Sequence, residues 1–150
     1  MYPVPKVKYH WALGTFGFIV NRKFLNALRT YIRPTPFEQC KGTIDLLMYD
    51  EKSDSYIIVD WKTSSKIATS AYRHKTGNHD ITRNLEDCNF NHYSLQLSLY
   101  RYILENYYGL KVTNQMIVHI TDTDCRGYIT PYLSNHIKLM AQQQINTKDS

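Results

Sequence analysis

The sequence contains little cysteine, and its cysteines form no recognisable pattern. The three cysteines among 150 residues, Cys40, Cys88 and Cys125, lie far apart, and none belongs to a CxxC pair. An odd number of isolated cysteines argues against a disulfide scaffold, a zinc site and an iron–sulfur cluster. Reduced thiols inside a cell are the state we expect.

Long hydrophobic runs are absent as well. No apolar stretch approaches the roughly 20 residues that cross a bilayer, and the first residues, MYPVPKVKYHW, lack the hydrophobic region of a secretory signal. We therefore expect an intracellular protein that is neither secreted nor in a membrane. With 43% hydrophobic and 21% charged residues, six glycines and five prolines, the composition fits a single folded domain over 1–150 and not a disordered chain.

Positive charge and tyrosine are what the composition does offer. The formal net charge is +5 and the pI is about 9.0, which mildly favours a polyanionic partner such as nucleic acid. The chain has 13 tyrosines, and tyrosine often lies at wet interfaces because it joins an apolar ring to a polar tip. We nevertheless expect many of these tyrosines in the core or at its rim.

Hydrophobic periodicity predicts a mixed α/β or α+β domain. The predicted strands, in chain order, are 43–49, 56–62, 115–121 and 128–130. The predicted helices are 22–33, 92–108 and 134–144. The first two strands form a hairpin with a long loop, Gly109 caps the second helix, and 63–90 is a polar segment without a sustained period, typical of a functional or mobile loop.

Two predicted strands each carry an aspartate in an apolar setting. Asp45 lies between Ile44 and Leu46, and Asp60 follows three β-branched residues. Burying such a carboxylate costs several kcal/mol unless it is paired or bound to a cation. If the strands are neighbours, the two carboxylates converge, and a hard cation such as Mg²⁺ relieves their repulsion. Lys62 lies two residues after Asp60 and therefore on the same strand face, where it could orient a water or offset charge on a phosphate.

A structural reading of the same residues stays open. An Asp–Lys pair on a strand face is common, and DxK alone would favour it. The two strongly apolar strands and the upstream Asp45 favour a site instead. Gln96 and Tyr100 lie four residues apart on the predicted helix 92–108, hence on one face. Both side chains can donate hydrogen bonds to a phosphate or a catalytic residue, although this spacing alone is a weak signal.

These motifs together resemble the PD-(D/E)xK nuclease superfamily, in particular its RecB-like exonuclease branch. GTIDLL resembles the second motif of that family, IIVDWKTS its third, and SLQLSLYRYIL its QxxxY motif, in the family's order. The resemblance covers about 42–145, which would be the core, with 1–41 an atypical N-terminal segment. HYSLQLSLYRYILE is also similar to nucleases of large DNA viruses and phages, for which the host cytoplasm or nucleus would be the location.

The resemblance implies a restriction-endonuclease-like core, a central mixed sheet flanked by helices. It also implies a DNA nuclease, more often exonuclease than endonuclease, that depends on Mg²⁺ or Mn²⁺ and uses a metal-bound water; the DNA is single- or double-stranded, and RNA is an alternative. By matching position, Asp45, Asp60 and the carbonyl of Trp61 would bind metal, and Lys62 would position the water. Gln96 and Tyr100 would line the site. No iron–sulfur cluster is implied.

The first motif of the family departs from the pattern. The family carries an upstream Glu or His on an N-terminal helix, and here that helix is short or absent. Glu38 is the nearest acid and a further candidate ligand; His10 is distant, and Tyr31 stands about where the Glu is expected. A missing acid favours the alternative of a catalytically weak or inactive nucleic-acid-binding module or accessory subunit, working with a protein partner or as an oligomer. A basic protein-interaction domain is a more distant option.

The polar segment between the DWK strand and the QxxxY helix is rich in basic residues. We interpret it as a mobile arm that follows a phosphate backbone, with Tyr72 stacking on a base. The candidate nucleic-acid contacts are Lys66, Tyr72, Arg73, Lys75 and Arg83. A solvated loop is the alternative with nearly equal weight. His74 and His79 lie in the same segment, where exposed histidines are more common than metal ligands.

Overall fold

The computed structural model describes residues 44–148, and it describes side chains as far as residue 143. Its centre is a four-stranded mixed sheet whose strands lie side by side in chain order. These strands are β1 (Leu46–Asp50), β2 (Ser55–Lys62), β3 (Val112–Ile120) and β4 (Cys125–Ile129). β1 and β4 are antiparallel to their neighbours, whereas β2 and β3 are parallel. The α+β class predicted from the sequence is confirmed.

The hairpin of β1 and β2 sets the register on which the two aspartates depend. Leu46 is opposite Val59, and extending this pairing by one residue places Asp45 opposite Asp60. The predicted hairpin is therefore confirmed, but β1 begins at Leu46, later than predicted. Asp45 contacts β2 through its carboxylate, which accepts a hydrogen bond from the backbone N–H of Trp61, and it does not extend the backbone ladder.

Two helices complete the described fold. Helix α1 (Asn89–Tyr107) lies in the crossover from β2 to β3, and α2 (Ser134–Lys148) follows β4. Helix α1 begins earlier than predicted. Its N-cap, Cys88, makes no side-chain capping bond, so the sequence carried no capping signal for this start. Helix α2 continues past the predicted end at 144, since neither glycine nor proline interrupts 145–148.

Strands β3 and β4 are also longer than predicted. The first residues of β3, from Val112, pair with the start of β2 around Tyr56, and this pairing overrides the weak strand preference of Asn114. Cys125 pairs with Ile120, so 125–127, which precede the predicted strand, belong to β4. The correction to β3 comes from pairing between segments more than 50 residues apart, and the correction to β4 comes from pairing with the adjacent strand of the same hairpin.

Helix α1 lies between the sheet and α2. Its sheet side contributes Leu97 and Leu104 to a core cluster with Ile58 and Ile117. Its opposite side meets α2 through a second set of apolar residues, Leu95, Leu99, Tyr102 and Ile103. Because Ile58 lies in the cluster under α1, Asp60 and Lys62, at alternate positions of the same strand, face the same helix.

The crossover before α1 contains two short 3-10 turns, Tyr72–His74 and Asp80–Thr82. A bridge between Thr76 and Glu86 closes the segment on itself. Neither described helix is long and apolar enough to cross a membrane. The predicted helix 22–33 lies outside the described residues, as do Glu38, Tyr31 and His10.

Helix α1 ends at Tyr107 with Tyr108 as its C-cap, and the next residue, Gly109, has a left-handed φ of 65°. The next amide, of Leu110, donates to the carbonyl of Leu104 at 3.0 Å. We predict that Gly109→Ala lowers the free energy of unfolding by about 1 kcal/mol, because a Cβ is strained in this conformation while no described atom lies within 4 Å of it. Urea unfolding measures this, with Gln142→Ala on the exposed side of α2 as the control; equal stability of the two variants would contradict the prediction.

Candidate active site

The two predicted aspartates meet at one end of the hairpin. Asp60 lies near the end of β2, 3% exposed. Asp45, just before β1, is half-buried, and its Oδ2 accepts a hydrogen bond from the amide of Trp61 at 3.0 Å. The backbone of β2 thus fixes the Asp45 carboxylate beside the residue that follows Asp60. The convergence expected from the sequence is present in the structure.

Lys62 lies in the same small volume as Asp60. Its Nζ is 2.5 Å from Asp60 Oδ2 and donates a long hydrogen bond of 3.4 Å to Gln96 Oε1. The ammonium also lies 4.5 Å from the centre of the Tyr93 ring, within the range of a cation–π contact. Three neighbours therefore hold the ammonium, and two of them come from α1.

Gln96 and Tyr100 extend this chain of contacts along the helix. Gln96 Nε2 donates to the hydroxyl oxygen of Tyr100 at 3.1 Å, as their four-residue spacing permits. The structure therefore links Asp60, Lys62, Gln96 and Tyr100 in one continuous series. The positions of all five predicted catalytic residues fall in one region, where the ends of the β1–β2 hairpin face α1.

Burial makes the charged form of Asp60 unfavourable. The pKa of its carboxyl is raised chiefly by loss of solvent, an effect that Lys62 opposes and the neighbouring Asp45 carboxylate reinforces. The ammonium therefore compensates the buried charge only in part. A second positive charge at this point would lower the free energy of the ionised site.

The donor set fits a divalent cation of the magnesium type. Asp60 Oδ2 is buried and accepts no hydrogen bond of good geometry from the described residues; the Lys62 ammonium lies 2.5 Å from it. Two carboxylates complemented by waters are a usual Mg²⁺ environment. Within 44–148, three or more acidic, histidine or cysteine ligands do not cluster. Metal binding by the Trp61 carbonyl stays a prediction, and Glu38 lies outside the described residues.

Two residues that the sequence analysis missed belong to this region. Tyr93, one helical turn before Gln96, contacts Lys62. His119, 8% exposed, lies opposite Lys62 in β3, and its Nε2–H donates to the carbonyl of Ser64 at 2.6 Å. The sequence did carry a signal for His119, because a histidine within an apolar strand is a candidate for a functional site. For Tyr93 the signal was its three-residue spacing from Gln96, which places both on one helix face. This spacing becomes informative only when the position of Lys62 is known.

The predicted nucleic-acid contacts are all exposed, and binding by them stays a prediction. Two of them form local ion pairs: Lys75 with Asp87 at 3.0 Å and Arg83 with Asp80 at 2.5 Å. The other three are Lys66, Tyr72 and Arg73.

The two histidines of this segment make local contacts. His74 Nδ1 is 3.0 Å from a Glu86 carboxylate oxygen. His79 Nδ1 accepts from the amide of Ile81 at 3.2 Å. Both side chains are exposed, and each serves the geometry of its own turn.

No protein-family model matches this chain, and no curated protein or solved structure is significantly similar to it.

The raised pKa of Asp60 predicts a pH dependence of stability in metal-free buffer. The folded state holds this proton more tightly than the unfolded state, so the free energy of unfolding should fall as pH rises from the ordinary value of 3.8 through the raised pKa. Asp60→Asn should lack this component. Urea unfolding with a chelator, at several pH values, measures the difference.

Asp54→Asn, at the opposite end of the hairpin, serves as the control because it removes an exposed carboxyl. Its stability should follow the wild type across the pH range. Parallel curves for the wild type and Asp60→Asn would contradict the prediction.

Proposed function

We propose that this protein is a Mg²⁺-dependent DNA nuclease with a restriction-endonuclease-like core, of the RecB-like branch of the PD-(D/E)xK superfamily. The observation that carries the proposal is the unbroken series of contacts from Asp60 through Lys62 to Gln96, at 2.5 and 3.4 Å. Three sequence motifs from separate elements, each weak alone, supply the members of one site. This convergence is what a nuclease of that kind requires and what an isolated surface ion pair does not.

Asp45 and Asp60 would hold the cation. When bound, Mg²⁺ would offset the two carboxylates, polarise a phosphate oxygen and lower the pKa of a coordinated water. The half-buried position of Asp45 and the hydrogen bond from the Trp61 amide fix one carboxylate oxygen and leave the other for a ligand. Manganese, with similar ligand preferences, would serve in place of magnesium.

Lys62 supplies charge and orientation at the scissile phosphate. Its side chain is 20% exposed, so it contacts both the buried Asp60 and the solvent side where a substrate arrives. An ammonium held at this point opposes negative charge that develops on phosphate and can orient the attacking water by hydrogen bonding. Gln96 and Tyr93 limit its rotation, which places the ammonium before the substrate binds.

The finer parts of the proposal depend on the resemblance. They are an exonucleolytic rather than endonucleolytic reaction, DNA in preference to RNA, an intracellular and viral or phage setting, and 1–150 as one nuclease-like domain. The excess of positive charge, +5, supports a nucleic-acid substrate in general.

Removal of either aspartate should abolish cleavage. We predict that Asp45→Asn and Asp60→Asn each reduce Mg²⁺-dependent cleavage of labelled single- and double-stranded DNA by about a hundredfold or more. Mg²⁺ should raise the melting temperature of the wild type but not that of Asp60→Asn, because the ligand is lost. Asp54→Asn is the matched control and should behave like the wild type. Full cleavage by Asp60→Asn would refute the nuclease proposal.

A second candidate function is a nucleic-acid-binding module or accessory subunit that keeps the nuclease fold without the activity. It is favoured by the ligand count, since the described part of the site provides two carboxylates and no third acidic, histidine or cysteine ligand. This alternative predicts salt-sensitive DNA binding that Mg²⁺ does not convert to cleavage. The same assay therefore separates the two functions.

The contacts of Lys62 predict a graded loss of activity. Lys62→Met should lower kcat by about two to three orders of magnitude, because it removes a donor at the phosphate. Tyr100→Phe should cost less, about tenfold, since it removes only the hydroxyl bonded to Gln96. Single-turnover cleavage rates at saturating Mg²⁺ measure which of the two substitutions causes the larger loss. An effect of Tyr100→Phe as large as that of Lys62→Met would show that Tyr100 acts directly on the substrate.

A further inference from the structure

An exposed aromatic ring stands on a strained turn in the crossover before α1. Tyr72 is 81% exposed, more than the other large hydrophobic side chains of the described region. A ring held at the surface in this way is available to stack on a ligand. The ring is therefore a candidate contact surface.

The turn behind Tyr72 has an unfavourable backbone. Arg73 and His74 both have a left-handed conformation, with φ of 54° and 52°. Residues with a Cβ disfavour this region, and two such residues in succession are uncommon. Strain of this kind persists when surrounding contacts hold it and is typical of ligand clamps.

Glu86 provides the contacts that hold the turn. One carboxylate oxygen accepts from the amide of Ala71 at 2.6 Å, and the other lies 3.0 Å from His74 Nδ1. The carboxylate thus contacts the chain on both sides of Tyr72. Asp87 adds a backbone bond to the carbonyl of Lys75 at 2.8 Å. The Tyr72 ring is therefore presented by a braced turn.

A cation accompanies the ring. The guanidinium of Arg73 lies 5.2 Å from the ring centre of Tyr72, within cation–π range. An aromatic face beside a guanidinium is the usual combination for a nucleotide, because the base stacks on the ring and the cation meets the phosphate.

The turn lies close to the candidate active site. The amide of Phe90 donates to the carbonyl of Ala68 at 3.1 Å, and Phe90 precedes Tyr93, the ring that contacts Lys62, by one helical turn. Tyr72 follows Ala68 by four residues, which bounds their backbone separation at about 14 Å. A strand that reaches Lys62 needs only a few nucleotides to reach Tyr72.

We propose that Tyr72 and Arg73 form a stacking platform for an unpaired nucleobase, so that the substrate is single-stranded nucleic acid or the frayed end of a duplex. In an intact duplex both faces of each internal base are covered by its neighbours, and the platform has nothing to stack on. This inference rests on the proposed function for the role of the bound strand, but the binding itself is independent of cleavage.

The test measures affinity without cleavage. The full chain is titrated, in chelator, against a labelled single-stranded oligonucleotide and against the same sequence paired with its complement in a hairpin duplex closed at both ends by non-nucleotide linkers. Tyr72→Ala should weaken single-strand binding about tenfold and hairpin binding by less than about twofold. Tyr72→Phe should retain the affinity of the wild type, since the ring is kept. Leu139→Ala, which removes another exposed apolar side chain, is the control and should change neither.

Glu86 offers a second variant that leaves the ring in place. Glu86→Ala should weaken single-strand binding, because the turn is no longer held, and should add little to the loss in the double variant with Tyr72→Ala. Additive losses would overturn the role assigned to Glu86. Equal losses on both probes, or full affinity of Tyr72→Ala, would overturn the platform.

These outcomes distinguish a failure of the stacking-platform proposal from a failure of the nuclease proposal. Tyr72-dependent single-strand binding without Mg²⁺-dependent cleavage supports the platform and refutes the nuclease. Cleavage with unchanged affinity of Tyr72→Ala refutes the platform alone. This last result is also the one expected if the Tyr72 ring contacts a protein partner instead of a nucleobase.

Discussion

The burial of the Asp60 carboxylate is the constraint on which the rest of this structure depends. A carboxylate 3% exposed, with a second carboxylate opposite it, destabilises a fold unless positive charge lies close by. Lys62 supplies one such charge at 2.5 Å, yet the pKa of Asp60 is still raised. The fold therefore holds an incompletely compensated charge at the end of its hairpin. A site that retains such a cost is more readily explained by function than by stability.

The core fixes the geometry of that charge from two directions. Ile58 and Ile117 pack against Leu97 of α1, and this contact places the preceding turn of the helix, with Tyr93 and Gln96, over the end of β2. Gln115, 1% exposed, adds a polar tie, since its amide nitrogen donates to Ser98 Oγ at 3.2 Å. A shift of α1 would break these contacts and withdraw Gln96 from Lys62. The apolar core and the polar site are thus parts of one packing arrangement.

Sequence patterns predicted most of the described fold because the strands and α1 are strongly apolar on one side. The same patterns predicted Asp45, Asp60 and Lys62 as neighbours, since hairpin pairing follows from local alternation. They missed His119, whose position opposite Lys62 depends on the parallel pairing of β2 and β3, a contact between segments more than 50 residues apart. Tyr93 was missed for a similar reason: a tyrosine on a helix becomes informative only when its neighbour on the sheet is known.

The charges of the site explain why a basic protein would need a cation before an anionic substrate approaches Lys62. With both carboxylates ionised, Asp45, Asp60 and Lys62 together carry a single net negative charge, which repels a phosphodiester despite the overall excess of positive charge. One divalent cation would reverse the sign and make the site attractive to a single phosphodiester charge. The exposed basic residues near Tyr72 need no bound cation to attract a phosphodiester. Under the proposed function, binding of the strand at a distance and engagement of the scissile phosphate would therefore be separable, and only the second should depend on the metal.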